Sequence, residues 1–307
     1  MKSPAVSVVM AVYNGGDYLA DAVESILNQT LDDFEFIIIN DGSSDKSLEL
    51  LTGYAKKDKR IKLLSQKNQG LVASLNRGIK AAKGKYVARQ DADDRSGPKR
   101  LEKQVWFLEA HPKVVVVGSG ISIMDDKSRI VHRHAVLLDD PELRQELLVR
   151  SPFAHGTVMF RREAAVKAGL YDPGSWPAED FDLWLRLSAY GQLANLDDSL
   201  YMYREHPSAI SVKNARLQVE KLEAVRQKAW RERGRLLPKR KIDLSAYKNL
   251  NMGQLRIERI IDNNVMVSKL AWKHGQKNLA LKNMAVLAGN KLVYKKAAGK
   301  LKRKIRN

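Results

Sequence analysis

The chain opens as a regular alternation of apolar runs and amphipathic stretches. "VSVVMAVY" (6–13) is apolar and β-branched, and it stops at Asn14-Gly15-Gly16, a turn-forming sequence. Leu19, Val23, Ile26 and Leu27 then recur at helical spacing. "FEFIIIN" (34–40) is a second strand, halted by Asp41-Gly42-Ser43-Ser44, and Ser44 or Asp45 suits the cap of a helix carrying Leu48, Leu51 and Tyr54. "IKLLS" (61–65) predicts a third strand, and Leu71, Leu75, Ile79 and Ala82 mark another helix. "KYVARQ" (85–90) predicts a fourth strand. Continuous apolar strands are buried on both faces, and strand–helix repetition predicts a parallel sheet with helices on either side.

The pattern is less regular beyond Pro98. A helix is predicted through Leu101, Val105 and Leu108, then a strand at "VVVVG" (114–118) and a separate one at "ISIM" (121–124). Residues 139–150 read as helical, "GTVMF" (156–160) as a strand, 178–191 as an amphipathic helix and "SLYMYREH" (199–206) as an alternating strand. From Lys213 onward the chain reads as basic helix, divided at Pro238.

Composition narrows the function classes. Hydrophobic residues make up 44% of 307 and charged residues 29%, as in folded globular proteins. There is no cysteine, which excludes disulfides, thiolate-held zinc and thiol nucleophiles. The apolar start is about eight residues, too short to span a bilayer, and it lacks a signal-peptide layout, so a cytoplasmic protein is expected. The net charge of +19 is uneven. Lys213–Asn307 hold 26 basic against 6 acidic residues, whereas residues 1–212 are near neutral at −1. Chemistry is expected in the body and contact with an anionic surface in the tail.

The candidate chemistry begins at "ARQDADD" (88–94), where Asp91, Asp93 and Asp94 follow a buried strand. Carboxylates this close repel one another unless something positive joins them. The Asp-x-Asp spacing suits a divalent cation shared with substrate phosphates; a solvated turn in which one acid caps the next helix is the plainer alternative. In open α/β sheets ligands bind beyond the carboxyl ends of the strands. Tyr13-Asn14, Asp41-Gly42-Ser43 and Asp91–Asp94 all fall there.

Taken together, "VSVVMAVYNGGDYLADAVESILNQT", "FEFIIINDGSSD", "NQGLVASLNRGIKAAKGKYVARQDADD", "AHGTVMFRR", "AEDFDLWLRL" and "YREH" resemble the family 2 glycosyltransferases over residues 5–212. That resemblance implies a nucleotide-sugar-binding GT-A fold for residues 1–212, with a basic helical region at 213–307. It also implies an inverting, metal-dependent transfer from a nucleotide-sugar donor, expected to be UDP-linked, to a glycan or lipid-linked acceptor in surface polysaccharide synthesis. Carried over residue by residue, Ala11 and Tyr13 lie against the base, Asp41 contacts it, and Asp91 contacts ribose and metal. Asp93 is the stronger metal ligand, Asp180 is the general base, and Arg204 and His206 contact diphosphate, with His206 also near the metal. Mn²⁺ or Mg²⁺ is the implied cofactor.

The bland readings stand beside these. Asp-Gly-Ser makes a turn unaided. Glu179 suits a helix N-terminus. His155 serves structure as readily as acceptor binding, Trp184 reads as core, and Trp176 is the better sugar-stacking candidate. The tail's basic amphipathic helices, "KLVYKKAAGKLKRKIRN" above all, predict attachment to an anionic membrane at its inner face. Plain solvated or oligomer-forming helices are the rival reading, and nucleic-acid binding lacks a reading motif. A sugar-nucleotide nucleotidyltransferase is the rival enzyme, but it would carry a basic phosphate loop where this chain has "YNGGDYLAD". A degenerate, nucleic-acid-binding relative is the non-catalytic rival, opposed by Asp41, Asp91, Asp93 and Asp180.

Overall fold

A computed structural model describes residues 3–233, apart from 135, 148, 149, 207 and 208. Residues 3–133 and the described residues from 138 to 233 belong to one compact unit, which holds every candidate site residue. Pro238 and the Lys291–Asn307 stretch lie outside the described residues.

Four parallel strands build the amino-terminal half: β1 (Val6–Val12), β2 (Phe34–Asp41), β3 (Ile61–Gln66) and β4 (Tyr86–Gln90). They lie in the order β3-β2-β1-β4, with Val8 beside Phe36 and Ala88. Every residue of β2 and β4 is buried, as the unbroken apolar runs predict. The intervening helices are α1 (Leu19–Leu27), α2 (Ser47–Lys57) and α3 (Leu71–Ala81). Leu19, Val23 and Ile26 of α1 pack with Val6, Val8, Phe36 and Ile38 in one core, the burial that fixes the helix against the sheet.

The second half departs from simple repetition. Its elements are β5 (Arg95–Ser96), α4 (Arg100–Ala110), β6 (Val114–Met124), β7 (Ile130–His134), α5 (Asp140–Leu147), β8 (Met159–Arg161), α6 (Arg162–Lys167), α7 (Glu179–Leu187) and β9 (Gln192–Arg204). Strands β8, β6, β9 and β5 extend the sheet beyond β4. Strand β8 runs antiparallel to β4 and β6, while β6 and β9 are parallel. The sheet is therefore mostly parallel with antiparallel insertions.

Three local expectations change. The runs 114–118 and 121–124 are one strand, because β6 passes through register shifts around Gly120 rather than ending. The strand expected at 156–160 pairs only from Met159, since His155–Thr157 is a tight turn. The strand expected at 199–206 starts earlier, at Gln192, and ends at Arg204. After β9 come α8 (Ile210–Lys213) and α9 (Ala215–Arg233). Gln218 and Lys221 of α9 donate to the carbonyls of Pro177 and Gly174, so this basic helix lies over the loop before α7.

Candidate functional site

The first two loops at the carboxyl edge are stitched together. Asn14 and Gly15 donate their amides to the hydroxyls of Ser43 (3.0 Å) and Ser47 (2.9 Å), and Asn14 accepts the Ser44 amide (2.8 Å). Ala11 lies on β1 beside Ile39, and Tyr13 just past the strand is 55% exposed. A shallow cleft lined by Asn40, Gly42, Ser43, Gln66 and Asn68 opens beside them. Gly42 sits at φ +74, and a β-carbon there would stand 2.7 Å from the Asn68 amide nitrogen, so the place excludes a side chain.

Asp41, by contrast, is closed in. It is buried, and its carboxylate accepts Gln66 Nε2 at 2.7 Å, the Gln69 amide at 2.9 Å and the Gly70 amide at 2.8 Å. It pins the β3–α3 loop to the end of β2.

The acid turn after β4 is built differently. Arg89 is buried and donates to Asp91 Oδ1 at 2.6 Å. The Asp91 amide donates to the Tyr201 hydroxyl (3.1 Å), and Gly156 presses so closely that a β-carbon there would stand 2.7 Å from Asp91 Oδ2. Asp91 keeps 29% of its side chain exposed, so its burial is partial. Even so, that burial raises its carboxyl above the ordinary range, opposed by Arg89. Asp94 is buried and accepts the Arg204 amide at 2.7 Å; burial, with Asp93 and Asp91 adding to it, pushes its carboxyl well up. Asp93 is the most open of the three, 35% exposed, and its Oδ2 lies 2.9 Å from His206 Nε2.

Arg204 is buried with its guanidinium occupied inside the protein. It reaches the Asp93 carbonyl (2.8 Å), the Ser128 hydroxyl (2.8 Å) and Asp21 Oδ2 (3.2 Å), and it stacks on the Tyr18 ring. It thus fastens the acid turn to α1, and the structure gives it no free face toward the cleft.

The first turn of α7 completes the constellation. Burial raises the Asp180 carboxyl to about 6; its Oδ1 accepts the Phe181 amide at 2.7 Å, and the charges of Asp91 and Arg89 both reach it. Glu179 is buried with Oε2 unpartnered, and burial, then the Asp180 charge, lifts it to about 8. His155 sits 3.9 Å from Glu179 and hydrogen-bonds the Tyr171 hydroxyl at 2.8 Å. Burial and the Arg89 charge hold its pKa well below that of a free imidazole, so the ring is neutral at pH 7. Trp184 is fully buried against Phe153 and Phe160, a core residue. Trp176 is half-buried in the loop before α7.

The structure therefore brings Asp91, Asp93, His206, His155, Glu179 and Asp180 to one edge, while Asp41 and Arg204 face inward. Arg89, Tyr171, Tyr201 and Gly156 belong to the same site and were not anticipated. Arg89-Gln90 was the available signal: two polar residues inside an apolar strand need buried partners.

Residues 7–170, just over half of the chain, match the model of "Glycosyl transferase family 2". The chain belongs to glycosyl transferase family 2. EpsE of Bacillus subtilis is 40% identical over 211 residues, 67% of this chain and 75% of that protein. The O-antigen biosynthesis glycosyltransferase WbnJ of Escherichia coli is 33% identical over 205 residues, 66% of this chain and 80% of its own length. The amylovoran biosynthesis glycosyltransferase AmsE of Erwinia amylovora is 33% identical over 204 residues, 64% of this chain and 75% of that protein. Among solved structures, Staphylococcus aureus TarS 1–349 in complex with UDP-GlcNAc has the same fold, with a TM-score of 0.58 at 18% identity, covering 91% of this chain and 88% of that one. The enzyme is thus a glycosyltransferase with a GT-A fold. Among the described residues no helix is long and apolar enough to cross a membrane.

Proposed function

We propose that this glycosyltransferase moves a sugar from a UDP-linked donor to a glycan or lipid-linked acceptor, with inversion, in surface polysaccharide synthesis. The observation that carries the reading is the approach of the α7 acids to the β4 acid turn around Arg89, within electrostatic reach of one another. The names of EpsE's companions in the family, AmsE and WbnJ, support the pathway class, and the UDP-GlcNAc bound to TarS supports the donor class.

In this reading Asp180 is the base. An acceptor hydroxyl is far too weak an acid to ionise at neutral pH, so a carboxylate must take its proton as attack proceeds. At about 6 the Asp180 carboxyl is ionised at pH 7 yet more basic than an ordinary aspartate. Inversion is a single displacement and needs no enzyme nucleophile. Glu179, neutral at pH 7, can donate a hydrogen bond, and with His155 and Trp176 it forms the acceptor and sugar side. Tyr13, Ala11 and Asp91 form the nucleotide side, where Asp41 and Arg204 act by holding the loops rather than by touching the donor.

Among the described residues no cluster of three or more acids or histidines stands ready for a metal. Asp93, which is partly exposed, and the largely buried His206, 2.9 Å apart, nevertheless fit two protein ligands for Mn²⁺ or Mg²⁺, with the diphosphate supplying others. A bound divalent ion would act as a Lewis acid toward the leaving nucleoside diphosphate. The decisive experiment is incubation with a panel of nucleotide sugars and Mn²⁺, measuring released nucleoside diphosphate. Release from a UDP-sugar is expected; silence across the panel, with and without acceptor glycans, would sink the reading.

The basic tail is assigned to an anionic inner membrane surface, where each engaged Lys or Arg is worth roughly 1 kcal/mol. Truncation after Ala288 should reduce sedimentation with anionic liposomes, in a salt-sensitive manner, and spare donor hydrolysis. Equal sedimentation with neutral and anionic vesicles would remove the membrane assignment.

A further inference from the structure

Behind the acid turn lies a polar network that the transfer chemistry does not use directly. Gln90 ends β4, and Arg100 and Gln104 are one turn apart on α4; all three are wholly buried. Arg100 donates to the Ser96 hydroxyl (2.6 Å), to Gln90 Oε1 (3.2 Å), to Gln104 Oε1 (3.2 Å) and to the Arg89 carbonyl (2.6 Å). Gln90 Oε1 also accepts the Ser96 hydroxyl at 2.7 Å. Gln90 Nε2 then spans the turn from within, donating to the carbonyls of Asp91 (2.9 Å) and Asp94 (3.1 Å). Gln104 Nε2 holds the other wall through the Thr157 carbonyl at 2.7 Å. Thr157 ends the tight turn whose Gly156 packs on Asp91.

A buried guanidinium is a poor way to gain stability, because apolar side chains of similar volume do as well or better. Its value is geometric. A fully connected buried network admits one arrangement, and this one ends on the two carbonyls that bracket the acid turn. The Arg100 charge also reaches Asp91 and Asp94, easing their mutual repulsion.

We propose that Gln90 and Arg100 are positioning residues that fix the Asp91–Asp94 backbone, and with it the Asp91 and Asp93 carboxylates, in the geometry that receives a nucleoside diphosphate. The proposal rests on the transferase reading of the same site.

Gln90→Glu tests it. The variant is nearly isosteric and keeps an oxygen toward Arg100 and Ser96, but it presents a second oxygen to two carbonyls that need a donor. Three readouts are taken: thermal melting, hydrogen exchange across peptides 86–101, and calorimetric affinity for uridine diphosphate with Mn²⁺. Melting should stay cooperative, exchange should rise in the turn alone, and affinity should fall about 10- to 100-fold, the range for residues that orient ligand-bearing groups. Arg100→Lys keeps the charge but loses the planar fork, and it should shift affinity in the same direction by less. Turn exchange and affinity like the parent's in both variants would overturn the proposal. So would an exchange increase spread evenly over the chain, which marks a purely structural role. If the parent enzyme itself binds no nucleoside diphosphate while turn exchange rises in Gln90→Glu, the donor reading fails and the fixing of the turn stands.

Discussion

Asp41 ends one buried strand and Asp93 follows another of the same sheet, yet they stand in opposite situations. Asp41 has three donors and no open face. Asp93 is 35% exposed beside two other carboxylates, and its Oδ2 meets His206. Around β2 the donors supplied by the backbone and Gln66 match the acid. Around β4 and α7 five carboxylates, Asp91, Asp93, Asp94, Glu179 and Asp180, outnumber the buried guanidiniums near them. An acid whose hydrogen-bonding capacity is filled from within stabilises a loop. Burial first, and then a surplus of neighbouring acids, raises carboxyl pKa values and leaves groups that can accept protons or cations.

The comparison can be broken at either end. The largest effect is expected from Asp180→Asn, which is nearly isosteric but cannot take a proton. Transfer should fall by about 10²-fold or more with donor affinity kept, and in the parent enzyme the rate should rise with pH through about 6, as Asp180 ionises. Near-parental turnover would remove Asp180 as the base. Asp93→Ala should weaken Mn²⁺-dependent donor binding by about 10- to 100-fold in calorimetry; unchanged metal dependence would place the cation elsewhere.

Asp41→Asn should act on the fold instead. An amide has one accepting oxygen where the carboxylate has two, so a backbone amide at Gln69 or Gly70 loses its partner, at a cost of about 1–3 kcal/mol in denaturant unfolding. Lost donor affinity with unchanged stability would show that Asp41 serves the ligand, and the contrast would collapse. The smallest effect concerns Glu179, whose folded pKa of about 8 lies above its ordinary value of 4.5. The fold favours the protonated form, so this stabilisation is full below the unfolded pKa and fades as pH rises toward 8. Glu179→Gln should therefore flatten the decline of melting temperature between pH 5 and 8. A parallel decline in parent and variant would mean that Glu179 titrates normally.

Much of this was legible in the linear chain. The runs at 6–13, 34–40, 61–65 and 85–90 became β1 to β4; β1, β2 and β4 are buried on both faces and so are apolar at most positions, while β3 at the sheet edge is only partly buried. The loops at Asn14 and Ser43 met as the sheet topology required. The second half resisted reading because its strands take their limits from partners far away. Strand β6 continues past Gly118 by shifting register against β9, a decision made by residues more than 70 positions downstream.

The acids themselves were also fixed by the sequence, as were their strand-end positions and the absence of thiol chemistry. What only the tertiary structure decided is which of those acids stay available. Arg204 lies two residues before His206, and both side chains pack on Tyr18, yet one is tied to Asp21 and Ser128 while the other meets the partly exposed Asp93 carboxylate. Arg89 reads as one basic residue among 54, yet burial puts it between Asp91, Glu179 and Asp180. Spacing along a chain fixes which face of a strand or turn a residue occupies. Charge, proton affinity and reach depend on burial and on partners contributed by other elements, and those exist only once the sheet has closed.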